Sequence, residues 1–170
     1  TNSAPETVTR LLDMGMDPFN FADSLLAVLA QRLVRRLCSH CLQSRPMRPD
    51  EIEELLADYM HAFAGQETPA EREAVRSGWL GQHGRDGRLQ AFSSPGCTHC
   101  DNTGFSGRVG IHELMVISRT LRRLVQSGAR AEELQEAALR EGMRTLRQDG
   151  IGKVLSGQTT IEEVRATSNA

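Results

Sequence analysis

Two cysteine pairs, Cys38-Ser-His-Cys41 and Cys97-Thr-His-Cys100, constrain this chain more than any other feature. A Cys-x-x-Cys turn presents two sulfurs on one side of a tight bend. Two such turns brought together supply four thiolates at about 2.3 Å from a zinc ion, a closed tetrahedral shell of the structural rather than the catalytic kind. Cys38, Cys41, Cys97 and Cys100 are therefore the expected metal ligands, with zinc the expected metal. The other readings are two disulfides, a thioredoxin-like redox pair, or coincidence. The absence of a basic-then-apolar leader points to a reducing compartment, with cytosol the default, where paired cysteines bind metals more often than they crosslink. With four sulfurs the shell is full, so His40 and His99, inside the knuckles, are expected to be exposed or to support the ligands from outside.

The knuckles are separated by the 55 residues 42–96. That is longer than usual for such sites, so a metal here staples the base of an insert that needs apolar packing of its own. The helix expected over 51–64 supplies it: Ile52, Leu55, Leu56, Tyr59, Met60 and Phe63 recur at helical spacing, with Asp50 as cap and Glu53 completing the box. Thr68-Pro69-Ala70-Glu71 opens a shorter helix ending near Gly78, Gly81 to Gly87 reads as loop with a turn at Asp86-Gly87, and Arg88 to Phe92 as a strand returning to the second knuckle.

Before the first knuckle, Ser3 caps a helix that stops at Gly15, and Asp17-Pro18 starts a second one carrying Phe21, Ala22, Leu25, Leu26 and Leu29. It runs into Gln31 to Cys38, where the alternation of Leu33 with basic neighbours fits a short strand. After the second knuckle, Arg108 to Val116 reads as a strand. Apolar stripes around Leu121 to Val125, Leu134 to Ala138 and Leu146 to Leu155, the last interrupted at Gly150, read as helices, and Thr160 with Glu163 caps a short final one. Thr167 to Ala170 reads as a frayed end. The fold class expected is α+β and predominantly helical.

Several classes of chemistry have no residues to run on. The chain contains no Gly-x-x-x-x-Gly-Lys-Ser/Thr phosphate loop, no nucleophile elbow and no His-Glu-x-x-His. The glycines of Gly104-Phe-Ser-Gly107-Arg-Val-Gly110 serve more readily as turns beside the knuckle than as a phosphate cradle. His112 and Glu113 are neighbours in a strand and so face opposite ways, which argues against an acid/base dyad. His61 and His83 have no chemical company. No run approaches the roughly 20 apolar residues of a membrane-spanning helix, so membrane association is expected only through partners. A net charge of −2, an acid-rich stretch over 51–100 and few aromatic residues disfavour a nucleic-acid module.

Several stretches together resemble the C-terminal part of the secretion ATPase superfamily, the motors of type II secretion and type IV pilus assembly. They are Thr1-Asn2-Ser3-Ala4-Pro5 with Thr9-Arg10-Leu11-Leu12-Asp13-Met14-Gly15, Ala30 to Cys38, and Cys100-x-x-Thr103-Gly104-Phe105-x-Gly107-Arg108-x-Gly110-Ile111-x-Glu113-Leu114. Gly142-Met143-x-Thr145-Leu146, Gly157 and Thr160-Ile-Glu-Glu-Val164 extend the match over everything except about 42–96.

The resemblance implies that the chain begins inside a longer protein, with the phosphate loop, the acidic Mg²⁺ motifs and a histidine motif upstream of Thr1, so that it should not hydrolyse ATP alone. It implies residues 1–37 as the end of a RecA-like ATPase core, 38–107 as a zinc module with an insert, and 108–170 as a C-terminal strand and helical bundle. It further implies a hexameric ring, ATP and Mg²⁺ in the full-length protein, and a cytoplasmic location peripheral to the inner membrane. Partners would be a membrane platform and cytoplasmic adaptors, with no nucleic acid. Arg108 is the residue expected near a subunit boundary, reaching a neighbour's nucleotide phosphates; the alternative is a salt bridge to Glu113 or an upstream carboxylate. Arg10, Arg32, Arg35 and Arg36 are weaker candidates for the same neighbourhood. Rivals to this reading are a zinc-bearing nucleic-acid or protein-interaction module and a thiol oxidoreductase, which needs a reactive low-pKa cysteine.

Overall fold

Side-chain capping sets where most of the helices begin. In the computed structural model, which describes residues 2–63 and 65–168, Ser3 Oγ accepts the Glu6 N–H at 3.2 Å and α1 runs Ala4–Asp13. Asp17 accepts the Asn20 N–H to start α2, Pro18–Ser24. Thr68 and Glu71 exchange a full capping box at the head of α4, Pro69–His83. Ser118 starts α5, Arg119–Gln126, and Thr160 starts α8, Ile161–Thr167. Each satisfies an N–H that the first helical turn leaves without a partner.

α3, Pro49–Met60, departs from expectation: it starts two residues earlier than Asp50 as cap would allow, and the carboxylate of Glu51, not Glu53, accepts the Arg48 N–H at 3.1 Å. Proline at the first helical position, whose missing N–H costs nothing there, decides the start.

About half of the chain is helical, with α6 at Ala131–Arg140 and α7 at Leu146–Leu155 completing the helices. Among the described residues four strands form two paired ribbons. β1, Ala27–Leu37, pairs with β4, Phe105–Val116; β2, Gln43–Pro46, pairs antiparallel with β3, Gln90–Ser93.

The helix expected to continue through Leu29 ends at Ser24 instead, because from Ala27 the backbone is committed to β1; the Leu26 carbonyl already accepts the Ile117 N–H at 2.9 Å. A short apolar run with no clear period goes to whichever neighbour pairs with it. α4 also outruns its expected end, passing through Gly78 and Gly81 to His83. The capping box and the burial of Trp79 outweigh the roughly 1 kcal/mol that each glycine costs a helix.

The chain divides into two compact units, Thr1–Gln31 with His112–Leu146, and Arg32–Ile111 with Arg147–Ala170. In the first, α2 packs on α5 while α1 and α5 pack on α6, burying Val8, Ala22, Met115, Leu121, Val125 and Leu134. In the second, Leu55, Leu56, Trp79 and Leu89 of the insert share one core with Ile151 and Leu155 of α7. The insert therefore has apolar packing, as its helix pattern requires, but completes it with a helix from the far end of the sequence. The expected frayed tail is tied down as far as Ser168, which is buried, donates to the Val164 carbonyl and accepts from Arg147; Asn169 and Ala170 lie outside the described residues.

Gly150 does not interrupt α7. It lets α8 approach, since a Cβ there would lie 2.5 Å from Cγ1 of Val164, itself fully buried. Gly150→Ala gains about 1 kcal/mol of helix propensity and loses about 1–3 kcal/mol to overpacking. A lower urea midpoint than wild type is the expected net result, and a higher one would show that α8 can step aside.

Candidate metal centre

The four cysteines are free thiols whose sulfurs all lie within 4.8 Å of one another. Cys38 Sγ is 3.8 Å from Cys97 Sγ, and Cys97 Sγ is 3.8 Å from Cys100 Sγ. Sulfurs on a tetrahedron with metal–sulfur bonds of about 2.3 Å are separated by about 3.8 Å. The donor set therefore fits a tetrahedral metal ion, and the separations are far from the roughly 2 Å of a disulfide. Cys38 and Cys100 are buried, while Cys41 and Cys97 are half-buried.

Local backbone chemistry builds each knuckle. Cys38 follows the last residue of β1, where its N–H donates to the Gly104 carbonyl at 2.9 Å and its carbonyl accepts Ser94 Oγ at 2.9 Å. In the second knuckle a short 3₁₀ turn, Thr98–Cys100, is followed by Asp101 and Asn102 with φ of 51° and 60°, so the chain doubles back and the Asn102 N–H reaches the Cys97 carbonyl at 2.9 Å. The reversal aims the amides of Cys97 and Gly104 at Cys100 Sγ, both at 3.2 Å.

Those amides set the charge of the sulfurs. Burial works against a thiolate at Cys100, but the two N–H groups, together with contacts from the Cys97 and Cys38 sulfurs, outweigh it and pull the thiol below the ordinary cysteine range. Burial pushes the Cys97 thiol up to about 11, and its contacts with the Cys100 and Cys38 sulfurs add to the rise, against the His99 and Cys100 amides that lower it. Without a cation, four sulfurs this close cannot all ionise.

The β2–β3 ribbon brings the knuckles together. Its register pairs Gln43 with Ser93 and Pro46 with Gln90, so the segments leaving Cys41 and approaching Cys97 run side by side. The returning strand is visible in the sequence; β2 is not, since Gln43-Ser44-Arg45-Pro46 has no apolar alternation and all four residues are exposed. His40 and His99 are exposed and stack, ring centres 3.9 Å apart and planes 14° from parallel. Nothing in either knuckle's sequence signals that stack.

Arg108 is exposed on β4 just after Gly107, whose φ is +75°, and its side chain makes no hydrogen bond or ion pair among the described residues. The alternative of a bridge to Glu113 is not what forms, because both Glu113 oxygens accept backbone N–H groups, from Ala4 and Leu146. Glu113 is buried and His112 exposed, on opposite faces as a strand requires. Arg35 is committed elsewhere, paired with Glu163 at 2.7 Å and lying over the Phe105 ring. Arg10 and Arg36 are exposed.

The sequence model of the type II/IV secretion system protein family matches residues 1–166. The chain is 42% identical over 171 aligned positions to the type II secretion system protein HxcR of Pseudomonas aeruginosa, covering 100% of this chain and 27% of that protein. It is 38% identical to the type IV pilus assembly ATPase PilB of Thermus thermophilus, over 98% of this chain and 16% of that protein. To the type II secretion system protein E of Aeromonas hydrophila it is 41% identical, over 96% of this chain and 27% of that protein. The chain thus spans 16–27% of the length of these relatives. Among the described residues no helix is long and apolar enough to cross a membrane.

Gly104 carries the tightest demand in the knuckle: φ is +81°, and a Cβ would run into the Ser94 carbonyl. Gly104→Ala should open the packing around Cys100. In timed thiol labelling of metal-free protein, Cys38 and Cys100 are expected to react as fast as the half-buried Cys41 and Cys97; unchanged protection would mean that the knuckle tolerates the side chain.

Proposed function

The chain belongs to the type II/IV secretion system protein family, and from that premise we propose that it is the C-terminal part of an ATPase that powers type II secretion or type IV pilus assembly. The match over residues 1–166 carries this reading. The parts are 1–37 as the end of a RecA-like core, 38–107 as a zinc module with its insert, and 108–170 as a C-terminal strand and helical bundle. The phosphate loop and Mg²⁺ motifs lie in the remainder of the longer protein, so this segment alone does not turn over ATP. The assembled motor is a hexameric ring in the cytoplasm, coupled to the inner-membrane platform and to adaptor proteins.

Zinc is the metal that this donor set suits, and bound there it supplies a fixed crosslink without an open coordination position. Cys38, Cys41, Cys97 and Cys100 would hold it as thiolates, with the amides of Cys97 and Gly104 favouring the charged form of Cys100. The stapled module is then stiff enough to pass motion from the motor to the membrane platform. One zinc per chain is expected by elemental analysis. Because the ligands must lose protons, affinity falls as pH drops through the thiol range, and binding releases protons measurable by calorimetry in buffers of different ionisation enthalpy. Metal-free folded protein with four freely reactive thiols would refute the zinc reading.

Arg108 is the group offered to nucleotide phosphate across a subunit boundary. Its exposure, and its lack of a carboxylate partner among the described residues, leave the guanidinium available. A bidentate guanidinium neutralises charge developing on a transferring phosphoryl group, an effect on the order of 10³-fold or more in turnover. Arg108→Ala in the full-length protein should abolish most ATP turnover while leaving metal content and ring assembly unchanged. Full turnover in that variant would end the proposal for Arg108.

A further inference from the structure

Glu113 is a carboxylate almost out of reach of water, with 2% of its surface exposed. It has no cationic partner among the described residues. Its Oε1 accepts the N–H of Ala4 at 2.7 Å, and its Oε2 accepts the N–H of Leu146 at 3.1 Å. Ala4 is the first residue of α1 and Leu146 the first of α7. One side chain on β4 therefore satisfies the opening amides of two helices that are distant in sequence.

The head of α1 shows why this carboxylate is needed there. Ser3 Oγ takes the Glu6 N–H, the Ser3 carbonyl takes the Thr7 N–H, and Pro5 has none to give. The Ala4 amide is left over, and no acceptor on α1 itself takes it. A negative charge at two helix N-termini is also where the peptide dipoles favour one. Burial pushes the carboxyl above the usual range, the two amides pull it down, and nearby Glu6 adds to the rise. A buried charge held against that cost by two directional hydrogen bonds fixes geometry more stringently than an apolar contact would.

We infer that Glu113 is a positioning residue for the motor: it holds the start of α1 at one place on β4, and through α1 the nucleotide-handling part of the longer protein. This rests on the ATPase reading, in which those motifs precede α1. Glu113 touches neither nucleotide nor metal; its effect runs through the placement of α1.

The test uses the full-length protein with Glu113→Gln, which keeps the shape but presents an NH₂ to one of the two amides. Hydrogen exchange at Ala4 and Leu146 should accelerate, and kcat should fall about 10-fold or more, as expected when a reacting group is displaced by a fraction of an ångström. KM for ATP and metal content should stay near wild type. Leu134→Ala, a cavity in the fully buried core of the same unit, is the control: it should lower the melting temperature at least as much and leave kcat unchanged.

Wild-type kcat in Glu113→Gln, or an equal kcat loss in Leu134→Ala, would overturn the inference. If Glu113→Gln does not fold, Glu113→Asp, which keeps the charge on a shorter arm, is read by the same criteria. If the wild-type protein shows no ATP turnover, the ATPase reading and the positioning role fall together. The exchange data then report only on the clamp, which stands if protection at Ala4 and Leu146 drops.

Discussion

Convergence of four sulfurs on one point is the constraint on which the knuckle-bearing unit of this chain depends. Cys38 follows β1 and Cys100 precedes β4, so the cluster forms where those two paired strands give way to the excursion between them. Closing a 55-residue loop is entropically costly, and because that cost rises with length, if slowly, a crosslink at the base would stabilise a long insert somewhat more than a short one. The β2–β3 ribbon, the left-handed pair Asp101-Asn102 and the bare backbone of Gly104 are arranged around that closure.

Part of the acidic excess of residues 51–100 is paired within the same unit. Glu53 on α3 pairs with Arg72 and Arg76 on α4, while Asp58 pairs with Arg165 on α8 and lies 3.8 Å from Arg147 on α7. These surface pairs add little stability singly. Their arrangement orients α3 between α4 and the C-terminal helices, above the shared core of Leu55, Leu56, Trp79, Ile151 and Leu155. An insert that looks self-contained in sequence is thus completed by helices about 90 residues further along.

What the sequence makes legible follows the range of the interaction. Caps written in adjacent residues, Ser3, Asp17, the Thr68–Glu71 box and Thr160, place helix starts correctly, because the hydrogen bonds involved span three residues. The four cysteines are legible as a group because metal chemistry leaves few other reasons for two such turns. Features that depend on a distant partner are not: β1 takes Ala27 to Ala30 from an apparent helix because β4 is there to pair with it, and Gly150 stays helical because Val164 needs the room. The Glu113 clamp is likewise silent in sequence, where Glu113 draws notice only as a neighbour of His112, as a possible partner for Arg108 and as one position of a matching stretch. Its partners, Ala4 and Leu146, contribute backbone amides that no residue type advertises.

X-ray absorption at the zinc edge, on protein purified without added metal, tests the sulfur cluster most directly. Four sulfur neighbours at about 2.3 Å, with no oxygen or nitrogen shell, are predicted. A mixed shell that includes imidazole nitrogen from the stacked His40 and His99, or no bound metal in protein that is fully folded, would contradict it.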